Sequence, residues 1–398
     1  MIDRREILEL ANDLSLRADV VEKDYALAWI LAGIAHHAEL STWLFKGGTC
    51  LKKAWFETYR FSEDLDFTLE RDEQLDQTSL LRAMQEVAAW VYQESGLLVP
   101  DEGVDVEPYR NARGRAAALV KLSYRGPLAP RGSLPRIRLD LTADEQIVLP
   151  PERRRISHDY TDEPPDGIWA RCYAFAEVFA EKIRALGDRA RPRDLYDVVN
   201  LFRREDALGA RSEIRSVLAA KCAYKGLPVP TLATVEPRRA ELEADWEDML
   251  GHQLPQLPPF ETYWSELGEF FAWLVHRAPS RTALAPYALA PGERVLRPAL
   301  GTLGRLGLIA RPLETIRFAA ASRLCVDLDY VDENGRRRVR RIEPYSLRRT
   351  REGSIVLHAV RCADGGHRSY RADRIRGAIA TPQSFRPRYA IELRPERR

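Results

Sequence analysis

Lysine is scarce in this sequence of 398 residues, which contains eight lysines and 53 arginines. Because arginine carries most of the positive charge, a lysine marks a position where a compact ammonium group suits the chemistry better than a planar guanidinium. Lys46 and Lys182 lie in segments that contain other chemically suggestive residues. We therefore treat these two lysines as candidate site residues.

The sequence also lacks the marks of membrane proteins and of secreted, disulfide-bonded proteins. It has no apolar run close to the roughly 20 residues of a membrane span, and its start, MIDRREILEL, lacks the apolar core of a signal peptide. The five cysteines are odd in number and have no metal-ligand spacing: Cys50, Cys172, Cys222, Cys325 and Cys362. We expect reduced thiols, no membrane partner and a cytoplasmic protein.

The net charge of +2 is unevenly distributed along the chain. From Arg311 to the end, 21 arginines stand against 11 acidic residues, which gives +10, whereas residues 1–310 carry −8. A basic C-terminal module is typical of proteins with a nucleic-acid or nucleotide partner. The alternative is an arginine-rich composition on an ordinary solvated surface. The 45% hydrophobic and 30% charged residues predict a soluble globular protein.

Apolar periodicity and turn residues divide the chain into four parts. We expect a mixed core at residues 1–210 and a helical bundle at residues 211–278. A linker or connecting helix follows at residues 279–314, and a β-rich module at residues 315–388. In the core, helices are predicted at residues 75–96 and 170–204, and strands at Ala116–Tyr124 and Pro135–Thr142. Four strands are predicted in the β-rich module, at Leu324–Val331, Arg338–Leu347, Ser354–Val360 and His367–Arg371.

The stretch KGGTCLKKAWFETYRFSEDLDF, residues Lys46 to Phe67, is the most informative in the chain. The pattern predicts a strand at Thr42–Phe45, a helix at Cys50–Tyr59 and a strand at Phe61–Leu69, with Gly47 and Gly48 between the first strand and the helix. Glycines at a helix start let backbone N–H groups approach phosphate oxygens. Thr49 is expected to cap the helix or to bind a phosphate. The alternative is a turn, a helix and an exposed acidic strand end.

Asp64 and Asp66 are two residues apart on a predicted strand, so both side chains point to the same face. Paired carboxylates bind Mg²⁺, which holds phosphate oxygens in phosphoryl and nucleotidyl transfer. In the strand PRIRLDLT, Arg136, Arg138 and Asp140 share one face and the apolar residues form the other. Asp140 is therefore the candidate for a third carboxylate.

The segments EKIRAL and RDLYDVVNLF contain a second candidate group on predicted helices. Lys182 is suited to balance the charge of a triphosphate, and Asp194 or Asp197 to hold this lysine or a nearby arginine. The alternative is a salt-bridged helix surface, in which each pair contributes about 0.2–0.5 kcal/mol.

Six segments over about residues 1–275 together resemble AbiEii/AbiGii-type toxin nucleotidyltransferases, to which the MenT toxins are related: VVEKDYALAWIL, FKGGTCLKKAW, RFSEDLDF, RIRLDLT, FAEKIRAL and RDLYDVVNLF. The resemblance implies an α+β fold with a polymerase-β-like nucleotidyltransferase core followed by a helical bundle. It also implies an NTP substrate and two Mg²⁺ ions, with transfer of a nucleoside monophosphate to RNA, for some relatives the 3′ end of tRNA. A cognate antitoxin is a further implied partner.

The resemblance also implies roles for individual residues. The catalytic candidates are Asp64, Asp66, Asp140, Lys182 and Asp194, of which the first three would bind metal; Asp197 is the less favoured choice for the last acid. The nucleotide-binding candidates are Lys46, Gly47, Gly48, Thr49, Ser62 and Lys182. The superfamily usually has Gly-Ser where this chain has Gly48-Thr49, which keeps the hydroxyl group. The implied mechanism is in-line attack of an RNA hydroxyl on the α-phosphate, with Asp140 accepting the proton.

Residues of about 315–385 resemble a WYL domain, a small SH3-like β-barrel taken to bind nucleic-acid or nucleotide ligands. The matching segments are LCVDLDYVDENGRRRVRRIEPYSLRR, SIVLHAV and RSYRADRIRGAIAT, although Ile355-Val356-Leu357 stands at the namesake Trp-Tyr-Leu position. Interleaved arginine and aromatic side chains suit phosphates and stacked bases. The candidate ligand contacts are Tyr330, Arg341, Tyr345, His358, Arg368, Tyr370 and Arg374. The alternative for Tyr330 and Tyr345 is a place in the core of the small domain.

These features predict a nucleotidyltransferase toxin of a bacterial toxin–antitoxin or phage-defence system that carries a WYL module. One alternative is a WYL-type regulator whose N-terminal domain is catalytically degenerate and binds only nucleotide or RNA. The intact pair Asp64 and Asp66 argues against it. The other alternative is a nucleotidyltransferase that modifies small molecules such as antibiotics, against which the arginine-rich C-terminal part argues.

Overall fold

A computed structural model of the chain describes residues 1–56, 60–129, 132–275, 284–297 and 310–393. The chain forms two compact units. The first consists of Met1–Ala11, Arg17–Leu201 and Gly209–Arg239. The second consists of Asn12–Leu16, Phe202–Leu208 and Ala240–Arg398. Helices and a mixed sheet build the first unit and a separate antiparallel sheet lies in the second, so the predicted α+β class is confirmed.

The α-helices are numbered here in chain order. Those up to residue 225 are α1 (Arg4–Leu14), α2 (Ala18–His36), α3 (Gly47–Cys50), α4 (Gln77–Ser95), α5 (Phe175–Asp188), α6 (Pro192–Phe202) and α7 (Glu205–Lys225). Those that follow are α8 (Leu232–Val235), α9 (Arg239–Ala244), α10 (Trp246–Leu250), α11 (Phe260–Trp264), α12 (Leu267–Leu274) and α13 (Ala310–Ser322).

The strands are numbered in the same way. The first unit contains β1 (Leu44–Lys46), β2 (Asp64–Thr68), β3 (Val104–Arg110), β4 (Ala116–Ser123), β5 (Arg136–Thr142), β6 (Glu152–Ile156) and β7 (Ile168–Cys172). The second contains β8 (Arg294–Val295), β9 (Leu324–Val331), β10 (Arg337–Arg349), β11 (Ile355–Arg361), β12 (His367–Arg371) and β13 (Ile375–Ser384).

The sheet of the first unit has seven strands in the order β3-β4-β5-β2-β1-β7-β6. β2 pairs in parallel with β5, and β1 in parallel with β7, whereas the other neighbours are antiparallel. In β5, Ile137, Leu139 and Leu141 are buried, while Arg136 and Arg138 on the opposite face are exposed. This alternation confirms the predicted division of β5 and gives the sheet an apolar face and a polar face.

Helices α2 and α4 pack on the apolar face of the sheet. α2 contacts β2, β5 and β7, and α4 contacts β3. Helix α4 begins after Asp76, whose carboxylate accepts a hydrogen bond from the backbone N–H of Ser79 at 2.9 Å, and it ends at Gly96 in the left-handed conformation. The polar face is therefore left to the side chains that can do chemistry.

The sheet of the second unit is antiparallel, with the order β12-β11-β10-β9-β13 and with β8 paired to β10. Helix α13 contacts β9, β10 and β13. The fully buried Arg348 guanidinium ties residues 284–297 to this sheet, because it donates to the carbonyl oxygens of Tyr287 at 2.7 Å and Ala288 at 3.0 Å. The unit thus contains the sheet predicted at the C-terminal end, and residues 284–297 pack against this sheet.

Predicted and observed elements agree where apolar periodicity is strong. Both β9 and β12 have the predicted bounds, and Pro192 begins α6 as expected. The predicted helix at Cys50–Tyr59 is wrong in detail, because the helical segment starts at Gly47 and continues as a π-helical turn at Leu51–Trp55. Residues 57–59 lie outside the described residues.

Three strands of the first unit were not predicted, namely β3, β6 and β7. β3 and β6 are the two edges of the sheet, and their sequences, VDVEPYR and ERRRI, are largely polar. An edge strand buries little surface and tolerates proline, so it carries a weak apolar pattern. This accounts for the failure to predict β3 and β6, whereas β12, also a polar edge strand, was predicted and the interior strand β7 was not.

Residues 299–312, for which a connecting helix was predicted, lie outside the described residues except for Ala310–Pro312, which begin α13. The four-part domain division stays a prediction. In the part of the chain that the structure describes, none of the helices combines the length and apolar character of a membrane span.

Candidate active site

Three aspartates lie side by side on the polar face of the first sheet. Asp64 and Asp66 project from β2, and Asp66 is the direct neighbour of Asp140 where β2 pairs with β5. On the other side of β2, Asp66 is the direct neighbour of Lys46 in β1. Three side chains that are far apart in sequence thus meet in one row: Lys46, Asp66 and Asp140.

The ionised forms of the three carboxyl groups are disfavoured in this environment, and the pKa of each is raised. Burial raises the pKa of Asp64, and the charge of Asp66 raises it further. Burial also raises the pKa of Asp66, although Lys46 and Lys182 oppose this shift. For Asp140, burial and the charges of Asp66 and Asp64 raise the pKa to about 6. The ionised group would therefore be stabilised by an additional positive charge at this place.

A divalent cation that arrives with a nucleotide fits this donor set. Mg²⁺ is commonly bound by one or two carboxylates, with water and phosphate oxygens as the remaining ligands. Asp66 and Asp140 supply two hard carboxylate donors on neighbouring strands. Among the described residues, no three His, Cys, Asp or Glu side chains lie close enough to hold an ion together. Phosphate oxygens of a substrate would therefore complete the coordination.

The Gly47-Gly48 turn leaves space beside Asp66. Gly47 has a φ of +78°, and a Cβ at this residue would lie 1.9 Å from the Oδ2 atom of Asp66. A Cβ on Gly48 would lie 2.7 Å from the guanidinium Nη2 of Arg60. Both positions require glycine because the backbone of the turn passes directly against the charged side chains.

Thr49 has a different contact from the two that were predicted. Its buried hydroxyl donates to the backbone carbonyl oxygen of Asp64 at 2.5 Å. This bond joins α3 to the start of β2 and leaves the hydroxyl engaged within the protein. The Ser62 hydroxyl lies beside Gly48 and makes no hydrogen bond to any of the described residues, so it is the free hydroxyl of this turn.

A group of buried ion pairs surrounds the aspartates on the β1 side. Lys46 donates to Glu181 of α5 at 2.9 Å. Lys182, on the same helix, lies 2.7 Å from Asp197 and 3.9 Å from Asp194. The lysine is thus held by the acidic residues of α6, as the sequence predicted, and Asp197 is the nearer of the two.

Two arginines complete these pairs, and sequence reasoning missed both. The buried Arg60 donates to both carboxylate oxygens of Asp197 at 2.8 Å. Arg189 donates to Asp194 at 2.8 and 2.9 Å. Each acid of α6 therefore binds one arginine in bidentate fashion. In a sequence with 53 arginines, residue type alone gives no signal that selects these two.

We expect the substitution Gly47→Ala to lower about 100-fold the rate of the nucleotidyl transfer that the family resemblance implies, because displacement of a reacting group by about 1 Å has this effect. The new Cβ would displace Asp66, and the positive φ would add strain. The measurement is kcat/KM for a labelled NTP substrate.

The matched control for Gly47→Ala is Gly209→Ala. Gly209 lies in α7 and is exposed, and a Cβ added at this residue would point into open space. Alanine in a helix is more favourable than glycine by about 1 kcal/mol, so this variant should keep full activity. Equal rates for both variants would contradict the role of Gly47.

The candidate ligand contacts of the second unit are of two kinds. Four are buried, with exposed fractions of 7% for Tyr330, 1% for Tyr345, 4% for His358 and 2% for Tyr370. Tyr330 packs edge-on against Tyr370, with ring centroids 5.2 Å apart. Their ring faces are covered, so the alternative that placed Tyr330 and Tyr345 in the core fits the structure.

The three candidate arginines reach solvent. Arg341 forms a bidentate pair with Asp327, with both distances at 2.8 Å, and Arg368 lies 3.0 Å from Asp364. Arg374 is half-buried and forms no ion pair within the described part of the chain. Of the seven candidates, these arginines are the ones whose side chains are not buried.

Comparison with known proteins gives matches to both parts of the chain. A family model for the nucleotidyl transferase AbiEii toxin of a type IV toxin–antitoxin system matches residues 29–266. A WYL-domain model matches residues 311–379. No curated protein matches the chain.

Solved structures are similar at low sequence identity. The nucleotidyltransferase toxin MenT4 from Mycobacterium tuberculosis H37Rv is 20% identical, with a TM-score of 0.42 over 68% of this chain and 87% of that one. JHP933 from Helicobacter pylori is 15% identical, with a TM-score of 0.40 over 66% of this chain and 94% of that one. A putative nucleotidyltransferase from H. pylori is 15% identical, with a TM-score of 0.40 over 66% of this chain and 97% of that one.

The family model covers more than half of the chain and includes all three aspartates, the Gly47-Gly48 turn and the ion pairs of α5 and α6. It therefore confirms the resemblance that the six sequence segments predicted, and the second model confirms the WYL domain. The chain belongs to the AbiEii family of nucleotidyltransferase toxins and carries a C-terminal WYL domain.

Proposed function

We propose that this protein transfers a nucleoside monophosphate from an NTP to RNA, with the 3′ end of tRNA as the expected acceptor. The observation that carries the proposal is the row formed by Lys46, Asp66 and Asp140, with Gly47 against Asp66. This row combines a backbone turn open to phosphate with a pair of carboxylates suited to a divalent cation. Such a combination serves in-line displacement at phosphorus.

In the proposed reaction, the terminal hydroxyl oxygen of the RNA forms a bond to the α-phosphorus of the NTP. The bond between the α-phosphorus and the bridging oxygen breaks, and pyrophosphate leaves. The Asp140 carboxylate, the direct neighbour of Asp66 where β2 pairs with β5, accepts the hydroxyl proton. Mg²⁺ would be held by Asp66 and Asp140 together with phosphate oxygens of the NTP, with Asp64 as the third candidate ligand, and would stabilise the negative charge on the reacting phosphate oxygens.

The cations on the β1 side are proposed to receive the triphosphate. Lys182 is fixed by Asp197, and Lys46 by Glu181, so both ammonium groups are positioned before a substrate arrives. Backbone N–H groups of Gly47 and Gly48 at the start of the helical segment add a partial positive charge. The Ser62 hydroxyl is the further group proposed to bind a phosphate oxygen.

The biological setting is proposed from family membership. Growth inhibition by RNA modification, neutralised by a cognate antitoxin, would place the protein in a toxin–antitoxin or phage-defence system. The WYL domain is proposed to bind a nucleic-acid or nucleotide ligand through Arg341, Arg368 and Arg374. Unchanged binding of labelled tRNA by the full-length protein after Arg368→Ala and Arg374→Ala together would contradict this part of the proposal.

The experiment that tests the activity combines purified protein, each of the four labelled NTPs in turn, Mg²⁺ and total RNA. We expect RNA to become labelled, and EDTA to abolish labelling. A parallel reaction replaces RNA with a panel of aminoglycosides. Labelled drug without labelled RNA would refute the RNA acceptor and favour small-molecule modification. Sequencing of tRNA 3′ ends after induced expression tests the expected acceptor.

A further inference from the structure

The polar face of the first sheet is covered on one side of the three aspartates and open on the other. Residues of α3, α5 and α6 surround the aspartates on the β1 side. On the β5 side, the polar face continues over β4 to the edge strand β3. We call this continuation the open face and define it by Tyr109, Leu119, Arg136 and Arg138. Leu119 is half-buried and the other three residues are exposed. The same face also contains Lys121, which donates to Glu107 and lies beside Asp105, so these two carboxylates already have a cationic partner.

The arginines of the open face differ from the cations of the covered side. Lys46, Lys182 and Arg189 are all held by carboxylates of the protein. In contrast, Arg136 and Arg138 make no hydrogen bond or ion pair with any of the described residues. An exposed guanidinium without a partner is available for a phosphate group of a ligand.

The strand register places Arg138 next to the aspartates. It is the direct neighbour of Asp64 where β5 pairs with β2, and it lies two residues from Asp140 on the same face. Its charge also lowers the pKa of Asp140, against the larger effects of burial and of the neighbouring aspartates. A phosphate bound by Arg138 would therefore lie within one nucleotide of the reacting groups.

Tyr109 supplies an aromatic ring on the other side of Asp140 along the strands, in the row of Thr142, whereas Arg138 lies in the row of Lys121. It projects from the edge strand β3 with 46% of its surface exposed. Its neighbour across the pairing of β3 and β4 is Ala117, and Ala117 is in turn the neighbour of Thr142, two residues from Asp140. Because alanine is small, the ring is not covered from the side of the aspartates. Exposed rings of this kind stack on bases of single-stranded nucleic acids.

We propose that the open face binds the last nucleotides of the RNA acceptor, with Arg138 and Arg136 on backbone phosphates and Tyr109 stacked on a base. This inference rests on the proposed function and specifies its acceptor site. The direction follows from in-line displacement, because the attacking hydroxyl approaches phosphorus opposite to the leaving pyrophosphate. With the triphosphate on the side of Lys46 and Lys182, the acceptor has to arrive from β5.

The test measures steady-state kinetics of nucleoside monophosphate transfer from an NTP to an unfractionated tRNA mixture at several salt concentrations. We expect Arg138→Ala to raise the KM for tRNA about tenfold, with the KM for NTP unchanged. The slope of log(kcat/KM) against log[salt] should become shallower by about 0.7, the value for one lost phosphate contact on a single strand. Arg138→Lys should restore the slope. Tyr109→Ala should raise the KM for tRNA about fivefold, whereas Tyr109→Phe should not.

Arg82→Ala is the matched control, because Arg82 is an exposed arginine on α4, which packs on the other face of the sheet. This variant should keep the wild-type slope and KM. If wild-type protein labels tRNA and Arg138→Ala keeps both its KM for tRNA and its salt slope, the acceptor site is elsewhere and the inference is overturned. If wild-type protein labels no RNA at all, the proposed function itself fails.

Discussion

The substitution Asp66→Ala is expected to lower the rate of nucleoside monophosphate transfer to RNA by at least about 1,000-fold, since a bound metal ion contributes several kcal/mol of charge stabilisation in the transition state. Asp66 is the central residue of the row, because it is the direct neighbour of Lys46 in β1 and of Asp140 in β5. The measurement is single-turnover transfer from a labelled NTP at saturating Mg²⁺, which reports on the chemical step.

Asp101→Ala is a suitable control for Asp66→Ala, because Asp101 is an exposed aspartate in the same unit and lies before β3. It should retain the wild-type rate. The Asp66 variant should also keep its unfolding midpoint, or become more stable, because burial raises the pKa of this carboxyl group in the folded protein. A variant that labels RNA as fast as wild-type protein would refute the mechanism.

The spacing of residues predicted the aspartate pair of β2 and the position of Asp140 on β5, but not that β2 and β5 are neighbours. Strand periodicity put Asp64 with Asp66, and Asp140 with Arg138, because a period of two is a local property of any strand. The register that sets Asp66 beside Asp140 depends on the pairing of β2 with β5, which joins segments about 70 residues apart in the sequence. The family resemblance, rather than the spacing, supplied that link in advance.

The partners of the buried charges were the part that sequence could not give. Arg60 and Asp197 are separated by 137 residues, and Lys46 and Glu181 by 135. From the sequence alone, any of the acidic residues on α5 and α6 was a possible ion-pair partner of Lys182. The choice between Asp194 and Asp197 depends on the direction of each side chain in the fold. Asp197 binds Lys182 and Arg60. Asp194 binds the exposed Arg189.

The two acids of α6 are equally buried, but their arginine partners differ in exposure. Asp197 and Arg60 are almost inaccessible, with exposed side-chain fractions of 0% and 2%, whereas the side chain of Arg189 is 49% exposed. Arg189 therefore remains accessible to a ligand while it is bound to Asp194. Asp194, which is itself fully buried, stays a prediction for the acid of the last motif, and its link to solvent is Arg189, whereas Asp197 contacts the buried Lys182.

The substitution Asp197→Asn is expected to lower the free energy of unfolding by about 3–5 kcal/mol, the usual cost of removing one partner of a buried ion pair. The neutral side chain would leave Arg60 and Lys182 charged and buried without their shared carboxylate. The measurement is urea unfolding followed by tryptophan fluorescence. Asp188→Asn, a substitution of an exposed aspartate at the end of α5, should change stability by less than about 0.5 kcal/mol.

The difference between wild-type protein and Asp197→Asn should also depend on pH. Burial by itself would raise the pKa of Asp197, but the charges of Arg60 and Lys182 hold it far below its ordinary value. A carboxyl group whose pKa is lowered in the folded state stabilises the protein fully above the pKa of the unfolded chain, about 3.9, and loses this contribution as the pH falls. The stability difference should therefore be constant from pH 8 to pH 5 and shrink below pH 4. A difference that grows as the pH falls would mean that Asp197 is not an ionised partner of Arg60 and Lys182.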